Sequence, residues 1–348
     1  MNYLFYLSHS YSYAILRPLQ REILRRGDAV AWFLEPTCPD YLEEGEQRLG
    51  TLKEVRQWNP RAVFAPGNWI PDFFPGVKVQ LFHGFPINKR GDRVDDHFRL
   101  RGWFHLLCTQ GPTSTGPFRQ LEQRKGYFRV AETGWAKTDD LMRIVWQQPA
   151  PEHVPTIFVA TTFSRNISSL EVLYPVISRL AKERPWRWII TLHPKLTDPA
   201  LRQRYEALDA ENANVSFVPV LHGTDEMAQS DVMLCDASSI ILEYMLTDRP
   251  VVTYRNTQPG PHLLNVTETD AVEAALEEAL SRPEPLMNAM RSYIASHEAH
   301  RDGHNCERIL DAVDQFLAND YGRLARRPLN LWRRLKMRLK FFSTTRKA

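Results

Sequence analysis

Short apolar runs alternate with longer stretches of helical periodicity along the whole chain. In the first half the runs fall at 2–8 (NYLFYLS), 29–34 (AVAWFL), 62–66 (AVFAP), 77–82 (VKVQLF), 103–109 and 128–133, with helix-patterned segments such as 14–26 and 42–58 between them. The second half repeats the rhythm, with runs at 156–162, 187–192, 215–218, 231–235 and 250–254 and helices expected near 168–183, 199–210, 239–246 and 269–281. Runs that are apolar at nearly every position belong to strands covered on both faces, so parallel sheets with crossover helices are predicted. The pattern predicts an α/β protein of two Rossmann-like domains facing across a cleft. Their expected spans are 1–150 and 151–320, with the boundary at QQPAPEHVP (147–155) and a separate tail at 321–348.

Length agrees with that division, since 348 residues exceed what one hydrophobic core usually organises. The four cysteines, Cys38, Cys108, Cys235 and Cys306, are widely spaced and form no CxxC pair. That spacing argues against a disulfide framework or a zinc site and suits a reducing compartment. The start, MNYLFYLSHSYSYAILRP, has no basic region before its short apolar run and reads as a first strand, not a signal peptide. No run approaches the ~20 apolar residues needed to span a bilayer.

Charge is unevenly placed. The net charge is +3, yet residues 323–348 carry ten Lys or Arg and no acid, leaving a body with 34 basic and 41 acidic side chains. On a helical wheel Leu331, Trp332, Leu335, Leu339 and Phe342 share one face, while Arg333, Arg334, Lys336 and Lys340 lie elsewhere. That is the pattern of a helix lying in an anionic membrane surface, which would make the protein peripheral at the inner face of the cytoplasmic membrane. A solvated tail or a nucleic-acid contact would share the charge; the expectation is a membrane partner and no nucleic acid.

Ligands of open α/β sheets collect at the carboxyl ends of the strands. Run 77–82 ends in HGFPINKRGDR, placing His83 first past the strand, Gly84 where a close backbone approach is possible, and Lys89 shortly after. RWIITL (187–192) ends in His193-Pro194, and His9 follows the first run. The run at 231–235 ends in CDASSIILEYM, where Asp236 or Ser238 can cap a helix starting about Ser239. Hydroxyls and amides at a helix start suit phosphate oxygens. A carboxylate one turn on, Glu243, suits a ribose diol. Each feature alone is ordinary for a soluble protein; their convergence on strand ends supplies phosphate, sugar and proton-transfer groups together. His97, His105, His153, His222, His262, His297, His300 and His304 have no such placement and are expected to be structural.

These segments, in order over roughly 80–310, resemble the CDP-glycerol glycerophosphotransferases of teichoic-acid and capsule synthesis, which are similar to glycosyltransferases of the GT-B architecture. The HG-x-P segment appears as His83-Gly84-Phe85-Pro86, G-Y-P-R-N-D as Gly134-Trp135-Ala136-Lys137-Thr138-Asp139, and A-P-T-F-R as Ala160-Thr161-Thr162-Phe163. The HP pair is His193-Pro194. D-Y-S-S with its acid and K-R-P is similar to Asp236-Ala237-Ser238-Ser239, Glu243 and Arg249-Pro250, and D-G-x-x-x-x-R to Asp302-Gly303 through Arg308. Lys137 replaces an arginine, Ala237 an aromatic, and Lys89 sits one position later than the family lysine. The large N-terminal extension of polymerising members does not precede the first strand, so one-off transfer or a short product is expected.

The resemblance implies a transferase moving a polyol phosphate from a CDP-linked donor to a glycan or lipid-linked acceptor. His83 and His193 would be catalytic. Donor contacts would come from Ser238, Ser239, Asp236, Glu243, Thr162, Lys89 and Gly84. With no Asp-x-Asp motif, neither a metal nor another cofactor is expected. A sugar-nucleotide glycosyltransferase, a UDP-sugar 2-epimerase and a non-catalytic basic-tailed binding protein remain alternatives.

Overall fold

The computed structural model describes residues 1–86, 97–147, 154–162, 168–192, 196, 198–218 and 224–345. Strands are β1 (Asn2–Leu7), β2 (Ala29–Leu34), β3 (Gln47–Arg48), β4 (Ala62–Ala65), β5 (Val77–Gln80), β6 (Leu106–Thr109), β7 (Arg129–Glu132), β8 (Thr156–Ala160), β9 (Arg187–Thr191), β10 (Val215–Val218), β11 (Val232–Cys235), β12 (Val251–Tyr254) and β13 (Leu264–Val266). The α-helices are α1 (Ser12–Arg25), α2 (Leu52–Trp58), α3 (Pro112–Lys125), α4 (Ala136–Gln147), α5 (Leu170–Glu183), α6 (Pro199–Glu211), α7 (Thr224–Gln229), α8 (Ile240–Met245), α9 (Val272–Leu280), α10 (Glu284–His297), α11 (Asn305–Leu317) and α12 (Leu331–Thr345).

The chain divides into two units. Among the described residues the first comprises 1–86, 97–140 and 296–345, and the second 141–295. The first unit holds a seven-stranded sheet in the order β3-β2-β1-β4-β5-β6-β7, every pair parallel. The second holds a six-stranded parallel sheet, β10-β9-β8-β11-β12-β13. As the unbroken apolar runs require, β1, β4, β8 and β11 bury both faces. In the second unit Ile157, Val159, Trp188, Ile190, Val232 and Leu234 pack against Leu173, Ile177 and Leu180 of α5 and Leu276 of α9.

Several expectations change. The helix expected over 42–58 is only α2, because Thr51 accepts from the Glu54 amide (3.2 Å) while Glu54 accepts from the Thr51 amide (2.9 Å). This capping box starts the helix at Leu52 and leaves the preceding residues to form β3. The expected boundary at 320 also moves. Residues 296–320 fold with the first unit, where Ile309, Leu310 and Val313 of α11 are buried and Arg26 of the α1 C-terminus bonds Asp311 at 2.8 Å.

The tail is not a detached segment either. Met337 and Phe341 of α12 enter the first unit's core, Phe341 stacking on Phe33 at 5.7 Å and meeting Phe73 edge-on at 5.0 Å. Arg338 and Arg334 reach Asp72 at 3.1 and 3.5 Å. Burying two such side chains contributes about 1.5–3 kcal/mol each. The wheel's apolar face is a different one: Leu331 (68%), Trp332 (67%), Leu335 (48%) and Leu339 (62%) remain exposed. The Phe342 and Lys340 side chains lie outside the described residues.

Candidate functional site

In the first unit, polar groups gather past β1 and β5. His83 is exposed, and its ring lies 5.4 Å from Tyr11, which stacks on His9 at 5.2 Å with planes 11° apart. His9 Nδ1 is 2.9 Å from the Ser8 hydroxyl. The loop after β4 comes close as well, since a Cβ on Gly67 would sit 3.3 Å from Ser8 Oγ. The carboxyl edge of this sheet therefore presents an imidazole, a phenol and a second imidazole in succession. Burial raises the Tyr11 pKa, so that hydroxyl stays a neutral donor near pH 7. Sequence reasoning noted His9 by position but gave Tyr11 no role; only the fold brings the two beside His83.

The backbone turn falls two residues earlier than expected. Phe82, not Gly84, takes the left-handed conformation (φ 58°), while a Cβ on Gly84 would meet nothing within 4 Å. A non-glycine residue held there costs about 1–3 kcal/mol and persists only where packing over-determines it. Here the Phe82 side chain is buried against Phe118 (5.1 Å), and its carbonyl accepts from the Trp135 indole at 3.2 Å. His97 stacks on Phe82 at 5.6 Å; burial, with His83 nearby, pushes its pKa down to about 4, so it stays neutral and structural. Lys89 lies outside the described residues.

In the second unit, the strand ends of β8 and β11 are tied together by Asp236. Its carboxylate accepts from the amides of Thr162 (2.9 Å) and Ser169 (3.1 Å) and from the Ser169 hydroxyl (3.4 Å), while its own carbonyl accepts from Asn256 at 2.7 Å. The residue has 0% exposure, and burial raises its pKa although these donors pull it down. Asp236 is therefore corrected from a donor contact to a positioning residue: its oxygens are taken up by the loops, and Thr162 spends its amide on it. Asp236 does not cap α8. Ser239 occupies the N-cap without a side-chain bond, and Ser238 Oγ stands 3.5 Å from the Ile240 amide.

What the tie leaves accessible is the pair Ser238 and Ser239, both half-buried, with half-buried Glu243 one turn after Ser239 on the same helix face. Beside Ser238 opens a small pocket of about 40 Å³, lined by Ile241, Met245, Asn256, Thr257 and Gln258 and walled by His262, whose ring stacks on Tyr293 at 3.8 Å. Nothing in the spacing of His262 pointed there. His193, Pro194 and Phe163 lie outside the described residues.

Two of the other matched segments build the scaffold. Asp139 accepts from the first amides of α11, Asn305 (2.9 Å) and Cys306 (2.7 Å). Buried Glu298 accepts from Trp135 N (3.0 Å) and Asn305 Nδ2 (2.9 Å). Asp302, in the loop before α11, pairs with Arg308 in the first turn of that helix, which holds the Asp302 carboxyl well below the usual carboxylate range. Arg249 donates to the carbonyls of Met227 and Ala228 at the end of α7, both at 2.6 Å. Among the described residues no group of three or more His, Cys, Asp or Glu could hold a metal ion, and no helix is long and apolar enough to cross a membrane.

No protein-family model and no curated protein matches the sequence. Solved structures do match over nearly the whole chain. The wall teichoic acid polymerase TagF is similar with a TM-score of 0.62 at 14% identity, over 91% of this chain and 89% of that one. MnaA of S. aureus, solved with UDP, gives 0.61 at 15% identity over 91% and 97%. The UDP-GlcNAc 2-epimerase of Neisseria meningitidis bound to UDP-GlcNAc gives 0.58 at 15% identity over 90% and 100%. At such identities the likeness is one of fold, and the chain has the GT-B fold of two parallel-sheet α/β domains.

Proposed function

We propose that the protein is a transferase that moves a polyol phosphate, glycerol phosphate foremost, from a CDP-linked donor to a hydroxyl of a cell-envelope glycan or lipid-linked acceptor. The observation that carries this reading is the accessible Ser238-Ser239 turn at the carboxyl edge of the second sheet, with Glu243 one helical turn on. In this reading the hydroxyls and turn amides hold the diphosphate and Glu243 holds the ribose. Exposed His83 takes the proton of the acceptor hydroxyl as its oxygen attacks the phosphorus bearing the polyol. The bond to the CMP oxygen breaks, and CMP departs. On the resemblance alone, His193 serves the leaving phosphate and Lys89 the donor. The ordered motifs favour a CDP-polyol over a sugar nucleotide. The UDP-bound fold neighbours favour the second reading, a sugar-nucleotide glycosyltransferase or UDP-sugar 2-epimerase.

The exposed stripe Leu331, Trp332, Leu335 and Leu339, on a segment rich in Lys and Arg, supports a peripheral place on the anionic inner face of the cytoplasmic membrane. Release of CMP from CDP-glycerol, followed by ³¹P NMR with envelope membranes as acceptor, tests the transferase reading. His83→Ala is expected to slow it by about 10²- to 10⁴-fold. A rate within a few-fold of wild type removes His83 from the chemistry.

A further inference from the structure

A second cavity, of about 300 Å³ and open to solvent, lies in the first unit between the segment 100–102, the end of α3 and the approach to α12. Arg101, Lys125 and Arg333 line it together with Asn330, Tyr127 and Leu121, and no carboxylate is among its described lining residues. It is a built feature. Arg333 donates to the Arg101 carbonyl at 3.1 Å, Asn330 donates to the same carbonyl at 3.3 Å, and a Cβ on Gly102 would collide with the Asn330 amide. Tyr127 is buried at its wall.

Strand direction separates this cavity from the candidate active site. Residues 100–102 precede β6, and Lys125 and Tyr127 precede β7, so the cavity sits at the amino ends of these strands. The His9, Tyr11 and His83 group sits at the carboxyl edge of the same sheet. An anion held here cannot be the reacting donor. The cavity does adjoin α12: Arg333 belongs to that helix, whose Leu331, Trp332, Leu335 and Leu339 are exposed and whose Lys336 lies over the Trp332 ring at 5.3 Å. Cations at the N-terminal end of a helix that carries an exposed apolar stripe on another face fit a phosphate at headgroup depth.

We propose that the cavity formed by Arg101, Lys125 and Arg333 holds the phosphate headgroup of an acidic phospholipid, docking the first unit on the bilayer through the exposed stripe of α12. This deepens the membrane reading above and rests on it. The cavity supplies selectivity for anionic lipid, and the stripe supplies insertion.

The test uses the full chain, vesicles of phosphatidylcholine with or without phosphatidylglycerol, and two double variants. Arg101→Gln/Lys125→Gln removes the cavity's charge while sparing the Arg101 carbonyl that Arg333 and Asn330 use. Its partitioning onto anionic vesicles is expected to fall about 25-fold, the product of two groups each worth about fivefold. Leu335→Ser/Leu339→Ser is expected to abolish partitioning onto both vesicle types. Dihexanoyl-phosphatidylglycerol below its micelle concentration is expected to raise the melting temperature of wild type and of the leucine variant, but not of the cavity variant. Inorganic phosphate at the same concentration is expected to leave all three unchanged.

A cavity variant that keeps wild-type partitioning and the lipid-induced shift overturns the proposal, even if the leucine variant upholds the membrane reading. A full shift from inorganic phosphate makes the cavity a free-anion site and also overturns it. Wild type that ignores both kinds of vesicle sinks the membrane reading and this proposal together.

Discussion

Asp236 offers the sharpest test of how the second unit presents its candidate donor site. Its carboxylate is the hydrogen-bond partner of the Thr162 and Ser169 amides, and both residues are buried. Asp236→Ala leaves these two donors unpaired. At about 1–3 kcal/mol for each buried orphan, the loss is ~2–6 kcal/mol. At 2–4 °C per kcal/mol for a unit of this size, the melting temperature should fall by roughly 5–20 °C. Asp236→Asn keeps one acceptor oxygen but turns an NH₂ toward a donor, so about half that loss is expected. A pH dependence accompanies it. Because burial raises the Asp236 pKa above its ordinary 3.8, the group's contribution is fully present below that value and is lost as pH rises through the folded-state pKa. The deficit of Asp236→Asn relative to wild type should therefore shrink from acid toward neutral pH. Urea melts of the two proteins from pH 3.5 upward read this difference directly. If Asp236→Ala melts within 1 °C of wild type and keeps nucleotide binding, the carboxylate does not organise these loops and the positioning role is wrong.

The two faces of α12 should separate cleanly. Phe341→Ala, which empties a core position, should cost about 3–5 kcal/mol by chemical denaturation, whereas Leu339→Ala on the exposed face should stay within about 0.5 kcal/mol. Equal effects would mean that the helix is not docked as described. Two glycines give a second contrast. Gly134→Ala drives a Cβ into the Asn305 side-chain amide at φ +75° and should lower the melting temperature markedly, while Gly84→Ala meets open space and should leave it unchanged. If Gly84→Ala nonetheless weakens nucleotide or acceptor binding, a ligand approaches that backbone closely.

The parallel sheets were legible because their strands are apolar at nearly every position, as in TIFVA and VMLC, which only two-sided burial explains. The edge strands β3 and β13 were not legible: QR is two exposed polar residues, and LNV is only half-buried, so neither carries an apolar run. Periodicity alone joined 42–50 to α2, where the Thr51–Glu54 capping box sets the boundary. Likewise, the 331–345 segment reads as one apolar face on a wheel, because a wheel does not show that Met337 and Phe341, on another side, meet Phe33, Phe73 and Phe74 in a distant part of the chain.

The candidate site divides along the same line. Residues next to a strand end in sequence, such as His83, Ser238 and Ser239, were visible, since strand polarity alone fixes which end they occupy. Roles set by long-range bonds were not. Asp236 looks like a donor contact until the Thr162 and Ser169 amides are found on it, and nothing in the Arg249-Pro250 pair shows that Arg249 bonds the α7 carbonyls. Tyr11 joins His83 only through the order β1-β4-β5.

The claim that most needs measurement is that the Ser238-Ser239 turn holds the diphosphate, and Glu243 the ribose, of a CDP-linked polyol. Thermal unfolding of wild type and of Ser238→Ala/Glu243→Gln with CDP-glycerol, CDP-ribitol, CMP and UDP-GlcNAc tests it directly. A CDP-polyol at about 100 times its Kd should stabilise wild type by about 2.7 kcal/mol, with little or no shift in the variant. Stabilisation by UDP-GlcNAc alone, or an equal shift in wild type and variant with the CDP-polyol, would contradict it.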